Sequence, residues 1–136
     1  MNIILDEGAI MPTRAHGADA GADLYTPVRV VLHPHSSVTI NTGVHFEIQK
    51  GLVGYIKSKS GLMTNDDIYA DGTVDAGYTG AVMAHLYNHS GKMKIFEAGQ
   101  KITQIVFQKV ETPTFEVVDS FEETERGDNG FGSTGK

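Results

Sequence analysis

Residues 126–136 read Arg-Gly-Asp-Asn-Gly-Phe-Gly-Ser-Thr-Gly-Lys, and their types suit work on a nucleotide. Glycines such as Gly130 and Gly132 let backbone N–H groups come close to an anion. Ser133 and Thr134 add hydroxyl donors, and Arg126 adds a planar fixed charge. The ring of Phe131 offers a flat face on which a base can stack. The spacing predicts a flexible clamp for phosphate and base. The alternative is a glycine-rich terminus without a role, because such a segment has no apolar periodicity and a large entropy to lose on ordering. Gly130 to Gly135 also fits G-x-G-x-x-G, and Gly130 to Lys136 fits the start of a P-loop. Both patterns act through a helix that follows them, and one residue after Gly135 leaves no room for it.

Four further segments place polar groups among glycines. Ala20 to Tyr25 sets Asp23 in a small-residue turn. Lys57-Ser-Lys59-Ser60-Gly61-Leu62 gathers two ammoniums and two hydroxyls before a short helix, a plausible anion site. Gly72 to Gly80 puts the Asp75 carboxylate three residues before Tyr78. Gly99 to Ile105 alternates polar and apolar positions and carries Gln104. Each has a plainer reading: Asp23 and Asp75 as turn caps, the lysines as a solvated face, Gln104 as an ordinary strand residue.

The elements that must position these groups are mostly strands. Val28–Leu32, Val38–Ile40, Val44–Ile48, Val82–Leu86 and Val106–Val110 alternate apolar and polar residues, and Thr114–Val118 is strand-like. Turn signals separate them at Thr26-Pro27, His33-Pro34, Asn41-Thr-Gly43, Gln49-Lys-Gly51, Asp71-Gly72, Asn88-His-Ser-Gly91 and Ala98-Gly99. The one helix expected is Ser60 to Asn65. Many short strands at regular spacing predict an all-β sandwich or barrel. A single domain over residues 1–125, followed by an arm over 126–136, accounts for the composition shift after Glu125.

The chain has 136 residues, no cysteine and a formal net charge of −6. Thiolate metal sites and disulfides are thereby excluded. An acidic balance argues against general nucleic-acid binding, so a polyanion would need a local basic site. No signal-like or membrane-spanning run is evident, and a cytoplasmic location, or host cytoplasm for a viral source, is expected. His33, His35, His85 and His89 lack matched carboxylate spacing and are expected to pack or face solvent rather than bind metal.

Taken in order, the segments resemble the five motifs of the homotrimeric dUTPase family. Ala20–Leu24 fits Ala-Gly-x-Asp-Leu. Lys59–Leu62 fits the Arg-Ser-Ser/Gly-Leu motif with lysine for arginine. Gly72–Gly80 fits Gly-x-Ile/Val-Asp-x-x-Tyr-x-Gly in full. Gly99–Gln104 fits Gly-Asp-Arg-Ile-x-Gln in part, with Gln100-Lys101 for Asp-Arg. Arg126–Gly135 fits Arg-Gly-x-x-Gly-Phe-Gly-Ser-Thr-Gly.

The resemblance implies a distorted jelly-roll β-barrel with a short helix and a glycine-rich C-terminal arm, and homotrimers with sites shared between subunits. It implies hydrolysis of dUTP to dUMP and pyrophosphate, which limits uracil in DNA and supplies dUMP for thymidylate synthesis. Asp75 would orient and deprotonate the attacking water, and Tyr78 would pack under the deoxyribose. Backbone groups of a hairpin around Tyr69 to Thr73, Gly72 included, would read uracil. Lys59, Ser60, Gly61 and Gln104 would hold phosphates, and Asp23 would reach Mg²⁺ through water. Phe131 and Gly132 would cover the base, while Arg126, Ser133 and Thr134 would bind the γ-phosphate. Without an Asp-Arg pair, the fourth motif is expected to lack that ion pair. The related dCTP deaminases need a glutamate after the third motif. None lies between Asp75 and Glu97, and His85 stands where it is expected. Deamination is therefore not expected.

Overall fold

The computed structural model describes residues 1–128. Its elements, in chain order, are β1 (Ile3–Leu5), β2 (Gly21–Tyr25), β3 (Val30–Leu32), β4 (Ser36–Asn41), β5 (Val44–Phe46), β6 (Leu52–Lys57), α1 (Ser60–Asp66), β7 (Ile68–Val74), β8 (Met83–Asn88), β9 (Lys94–Phe96) and β10 (Lys101–Lys109). All pairings are antiparallel. Six strands form one sheet in the order β2-β10-β6-β7-β8-β4, flanked by the pairs β1-β5 and β3-β9. The all-β architecture is the one that the alternating pattern predicts, and its jelly-roll form is the one that the resemblance implies.

Strand β7 turns the sheet. Residues 68–70 pair with β8 and residues 71–74 pair with β6, so one strand passes from one neighbour to the other along its length. The sheet thereby curves over a single core. Leu24, Ala84, Leu86 and Ile105 are completely buried in it, and Phe46 meets Phe107 edge-on with ring centres 5.2 Å apart. Along β8 the alternation is strict: Ala84, Leu86 and Asn88 point inward, and Met83 and Tyr87 outward. Buried polar groups are paired. The Thr42 hydroxyl donates to the Val82 carbonyl at 2.7 Å, and the Thr103 hydroxyl donates to Lys57 O at 2.7 Å, tying β10 to the end of β6.

Several local expectations are corrected. Ala20–Tyr25 is not a turn but ends in strand β2, because Ala22 and Leu24 fill the core while β10 supplies the ladder. Asp71-Gly72 is not a turn either, and Tyr69–Thr73 is not a hairpin: all lie within β7, where two neighbours satisfy the backbone that a turn would leave open. Thr114–Val118 forms no strand, since nothing among the described residues pairs with it. Phe115 and Val117 are 96% and 99% exposed. The helix falls where expected, one residue longer, closed by Asp67 in the left-handed conformation.

Truncating Leu86 removes a wholly buried side chain from the strand that bridges β7 and β4. Leu86→Ala is expected to lower unfolding free energy by about 2–5 kcal/mol, measured by urea denaturation.

Candidate functional site

A row of side chains crosses four strands. Asp23 on β2 stands opposite Gln104 on β10, Gln104 opposite Lys57 on β6, and Lys57 opposite Asp71 on β7. Directly opposed residues share a face of the sheet, so the row presents its polar groups to one side. Lys57 Nζ donates to Asp71 Oδ1 at 2.7 Å. Gln104 Nε2 donates to Ser58 O at 2.9 Å. Gly21 leaves space for that amide: a Cβ there would stand 2.0 Å from Gln104 Oε1.

Asp23 is the focus of the row, only 7% exposed. Lys59 Nζ donates to its Oδ1, and Lys101 Nζ donates to its Oδ2 at 2.7 Å. Lys59 arrives from the N-cap position of α1. Lys101 arrives through a break in the β10–β2 register between Lys101 and Thr103. The extra residue returns Lys101 to the face shared by Gln104 and Asp23, as a β-bulge does. Burial by itself would push the Asp23 carboxyl up. The Lys101 and Lys59 ammoniums outweigh it and hold the group below the usual carboxylate range. In the fourth motif, where Gln100-Lys101 stands for Asp-Arg, Lys101 pairs outside the motif with Asp23, and Gln100 accepts from the Glu97 N–H at 2.9 Å to close its turn. Lys101 is a site residue that the sequence reading did not single out. Its only sign there was a cation in register with the fourth motif.

Asp23, Lys57, Lys59 and Gln104 line one cleft of about 480 Å³. Ser60 and Gly61 open helix α1 beside Lys59, both exposed. Gly72, Thr73, Asp75 and Tyr78 line a second cleft of about 210 Å³ that shares no residue with the first. Asp75 follows β7 and starts a tight turn in which the Tyr78 N–H donates to Asp75 O at 3.2 Å. Gly77 takes φ 88°, the value that the third position of a type II turn requires. The Tyr78 ring folds back over Gly80, where a Cβ would meet its hydroxyl oxygen at 2.4 Å. That hydroxyl donates to Ala81 O at 3.1 Å. Asp75 is exposed and Tyr78 is 46% exposed, so both groups face outward.

Arg126 lies beyond the last strand, next to a turn in which the Gly127 N–H donates to Thr124 O at 3.1 Å. Phe131, Gly132, Ser133 and Thr134 lie outside the described residues. Among the described residues, no group of three His, Asp or Glu side chains is placed to hold a metal. With both Asp23 oxygens engaged by lysines, the described residues present no ready metal cage. His85 takes part in a hydrogen bond with the Thr39 hydroxyl, and His89 packs edge-on against Tyr69.

A curved antiparallel sheet with this connectivity is the jelly roll of a small class of nucleotide hydrolases. A family model described as dUTPase matches residues 7–135, and the chain belongs to that family. It is 42% identical to the deoxyuridine 5′-triphosphate nucleotidohydrolase of Nocardia farcinica, over 96% of this chain and 82% of that one. It is 41% identical to the enzyme of the same name from Corynebacterium efficiens, over 97% and 75%. Among solved structures, a mutant dUTPase of Staphylococcus bacteriophage 80alpha with dUpNHpp superposes with a TM-score of 0.92 at 29% identity. That match covers 99% of this chain and 98% of the phage protein. A mutant dUTPase from phage phi11 of S. aureus, described as coordinating a structural Mg(II) ion, superposes at 0.83 with 28% identity, over 90% and 98%. No helix among the described residues is long and apolar enough to cross a membrane.

The lysine pair gives Asp23 a testable signature. Asp23→Asn leaves two ammoniums facing a neutral amide and is expected to destabilise the fold by about 1–3 kcal/mol at neutral pH. Because pairing lowers the folded-state pKa, the Asp23 contribution is complete above about pH 4 and is lost as pH falls through that lowered value. Urea titrations of both proteins should therefore differ at pH 7 and converge in strong acid.

Proposed function

We propose that this chain hydrolyses dUTP to dUMP and pyrophosphate, with the Asp23–Gln104–Lys57 row and its two flanking lysines receiving the triphosphate. The observation that carries this reading is the convergence of Lys59 and Lys101 on Asp23, which lines one cleft with Gln104 and Lys57, with Asp75 and Tyr78 displayed on a separate turn. Lys59 and Lys101 would balance the charge of the triphosphate, and Asp23 would meet a phosphate-bound Mg²⁺ through water, the ion supplying further charge neutralisation. Asp75 orients a water in line with the α-phosphorus and takes its proton. The new P–O bond forms as the bond to the β-phosphate oxygen breaks, and pyrophosphate leaves. Ser60, the backbone at Gly61 and Gln104 hold the phosphates through this change. Tyr78 lies against the deoxyribose and leaves no space for a 2′-hydroxyl. Backbone groups of β7 near Gly72 and Thr73 read uracil. Arg126, Phe131, Gly132, Ser133 and Thr134 close over the bound nucleotide, the aromatic ring on the base and the polar groups on the γ-phosphate.

The working unit is a homotrimer, in the cytoplasm of a cell or of a host. Two observations support shared sites. The phosphate cleft and the Asp75 cleft have no lining residue in common. After β10 the Val110 N–H still donates to Gly51 O at 3.0 Å, but residues 111–125 make no strand pairing among the described residues, and Phe115, Val117 and Phe121 are each more than nine-tenths exposed. Alternating apolar residues of this kind are stable in water only when covered, and a neighbouring copy of the same chain supplies the cover.

Side-by-side product analysis with dUTP, dCTP, dTTP and UTP should show dUMP and pyrophosphate from dUTP alone. Ammonia from dCTP would refute the assignment. Asp75→Asn is expected to retain nucleotide binding and to lose about 10³-fold or more in kcat, as removal of an essential general base does. For the assembly, Phe115→Asp with Val117→Asp should shift sedimentation from trimer to smaller species, with dUTP turnover falling in parallel.

A further inference from the structure

His45 sits in β5, and both of its ring nitrogens face acceptors. Nδ1 lies 2.8 Å from the carbonyl oxygen of Thr79, and Nε2 lies 3.1 Å from Asp6 Oδ1. A neutral imidazole carries one N–H and can satisfy only one of these groups. An imidazolium donates to both. Thr79 directly follows Tyr78 in the segment that joins β7 to β8. Farther along that segment, the Val82 N–H donates to Val44 O at 2.8 Å. The bond from His45 therefore ties the part of the loop next to Tyr78 to β5, one residue beyond the backbone anchor at Val44. Asp6 is itself fixed, because its N–H donates to Gly43 O at 2.8 Å.

We propose that His45, bridging the Thr79 carbonyl and Asp6, is a positioning residue that holds the Asp75–Tyr78 turn in its working geometry and lets go of Asp6 as pH rises. The proposal deepens the reading of Asp75 and Tyr78 as site residues and rests on it. The surroundings favour the charged form. The groups lining the cleft around His45 are Asn2, Ile3, Ile4, Phe46, Glu47 and Thr79, with no lysine or arginine among them. Asp6, beyond β1, and Glu47, beyond β5, are the ionisable groups on its flanks, and Glu47 accepts from the Asn2 amide at 2.5 Å. On the loop side the facing group is a carbonyl, with Asp75 and Tyr78 in the same segment. The Thr79 carbonyl is the largest influence raising the His45 pKa, partial burial works against it, and Asp6 raises it further.

The sign follows from the raised value. Below about pH 6.5, the ordinary histidine value, the bridge is complete. As pH rises through the higher folded-state value, the Asp6 bond is lost while an Nδ1–H can still hold Thr79. His45→Ala removes both bonds, and one lost hydrogen bond at a catalytic turn translates into a fall in kcat for dUTP of about 3–10-fold, with KM changed less. His45→Gln, whose amide can donate to the Thr79 carbonyl, should recover part of that loss. It should also lack the pH step expected of wild type above the ordinary histidine value. Asp6→Asn should shift the same step to lower pH.

Histidine Cε1–H titration by NMR provides a readout that does not require turnover. The His45 resonance, assigned by its absence in His45→Gln, should titrate above the ordinary value and move down in Asp6→Asn. The Gly77 and Gly80 amides should follow that titration in wild type and stay still in His45→Gln. Superimposable kcat–pH profiles for wild type and His45→Ala would overturn the proposal. So would a His45 titration that Asp6→Asn leaves unmoved, or glycine amides indifferent to it. If wild type fails to turn over dUTP, the functional assignment falls, and the NMR titrations still decide whether His45 holds the turn.

Discussion

A carboxylate taken almost wholly out of water must be paired, and the pairing of Asp23 with Lys59 and Lys101 organises the rest of the molecule. Three elements meet there. Strand β2 brings the carboxylate, the residue before α1 brings one ammonium, and the irregular start of β10 brings the other. A regular β10 would put Lys101 on the opposite face, so the bulge is what makes the second pair possible. The same pairing stores two cations against one anion inside a protein of net charge −6. Under the proposed function, this is the local cationic site that an acidic chain needs to receive a triphosphate.

The second constraint is the path of β7. By pairing first with β8 and then with β6, it separates the phosphate-facing row from the turn that carries Asp75 and Tyr78. Both clefts are open and small in the isolated chain. A shared site in the proposed trimer gives each half its complement. It also explains why Asp75 and Tyr78, the residues assigned to chemistry and sugar selection, are left exposed. Exposure of Asp75 in one chain is thus compatible with a water-excluding site, because in the proposed trimer a second copy covers it.

Much of this was legible in the sequence. The alternation in Val82–Leu86 and Val106–Val110 placed β8 and the end of β10. The order of the five motifs placed the chain in its family before any contact was known. Strands β2 and β7 were not legible, for a physical reason. Ala-Gly-Ala-Asp and Ala-Asp-Gly-Thr are small and polar, with the composition of turns, and they become strands because β10 pairs with the first while β8 and then β6 pair with successive parts of the second. Thr114–Val118 erred in the opposite direction. Its alternation is sound, but a strand needs a partner, and the single chain has none to give it.

His45 shows the same division at the scale of one side chain. Nothing in Val44-His45-Phe46 distinguishes it from an ordinary outward-facing strand residue, and its two acceptors come from positions 39 residues before it and 34 residues after it. The sequence by itself determined residue chemistry and order: the Asp23 and Asp75 carboxylates, Lys59, Tyr78, and a β-rich chain to carry them. Tertiary structure decided which of those groups meet. Pairing, register and the bulge are set by contacts between distant segments, and local composition holds no record of them.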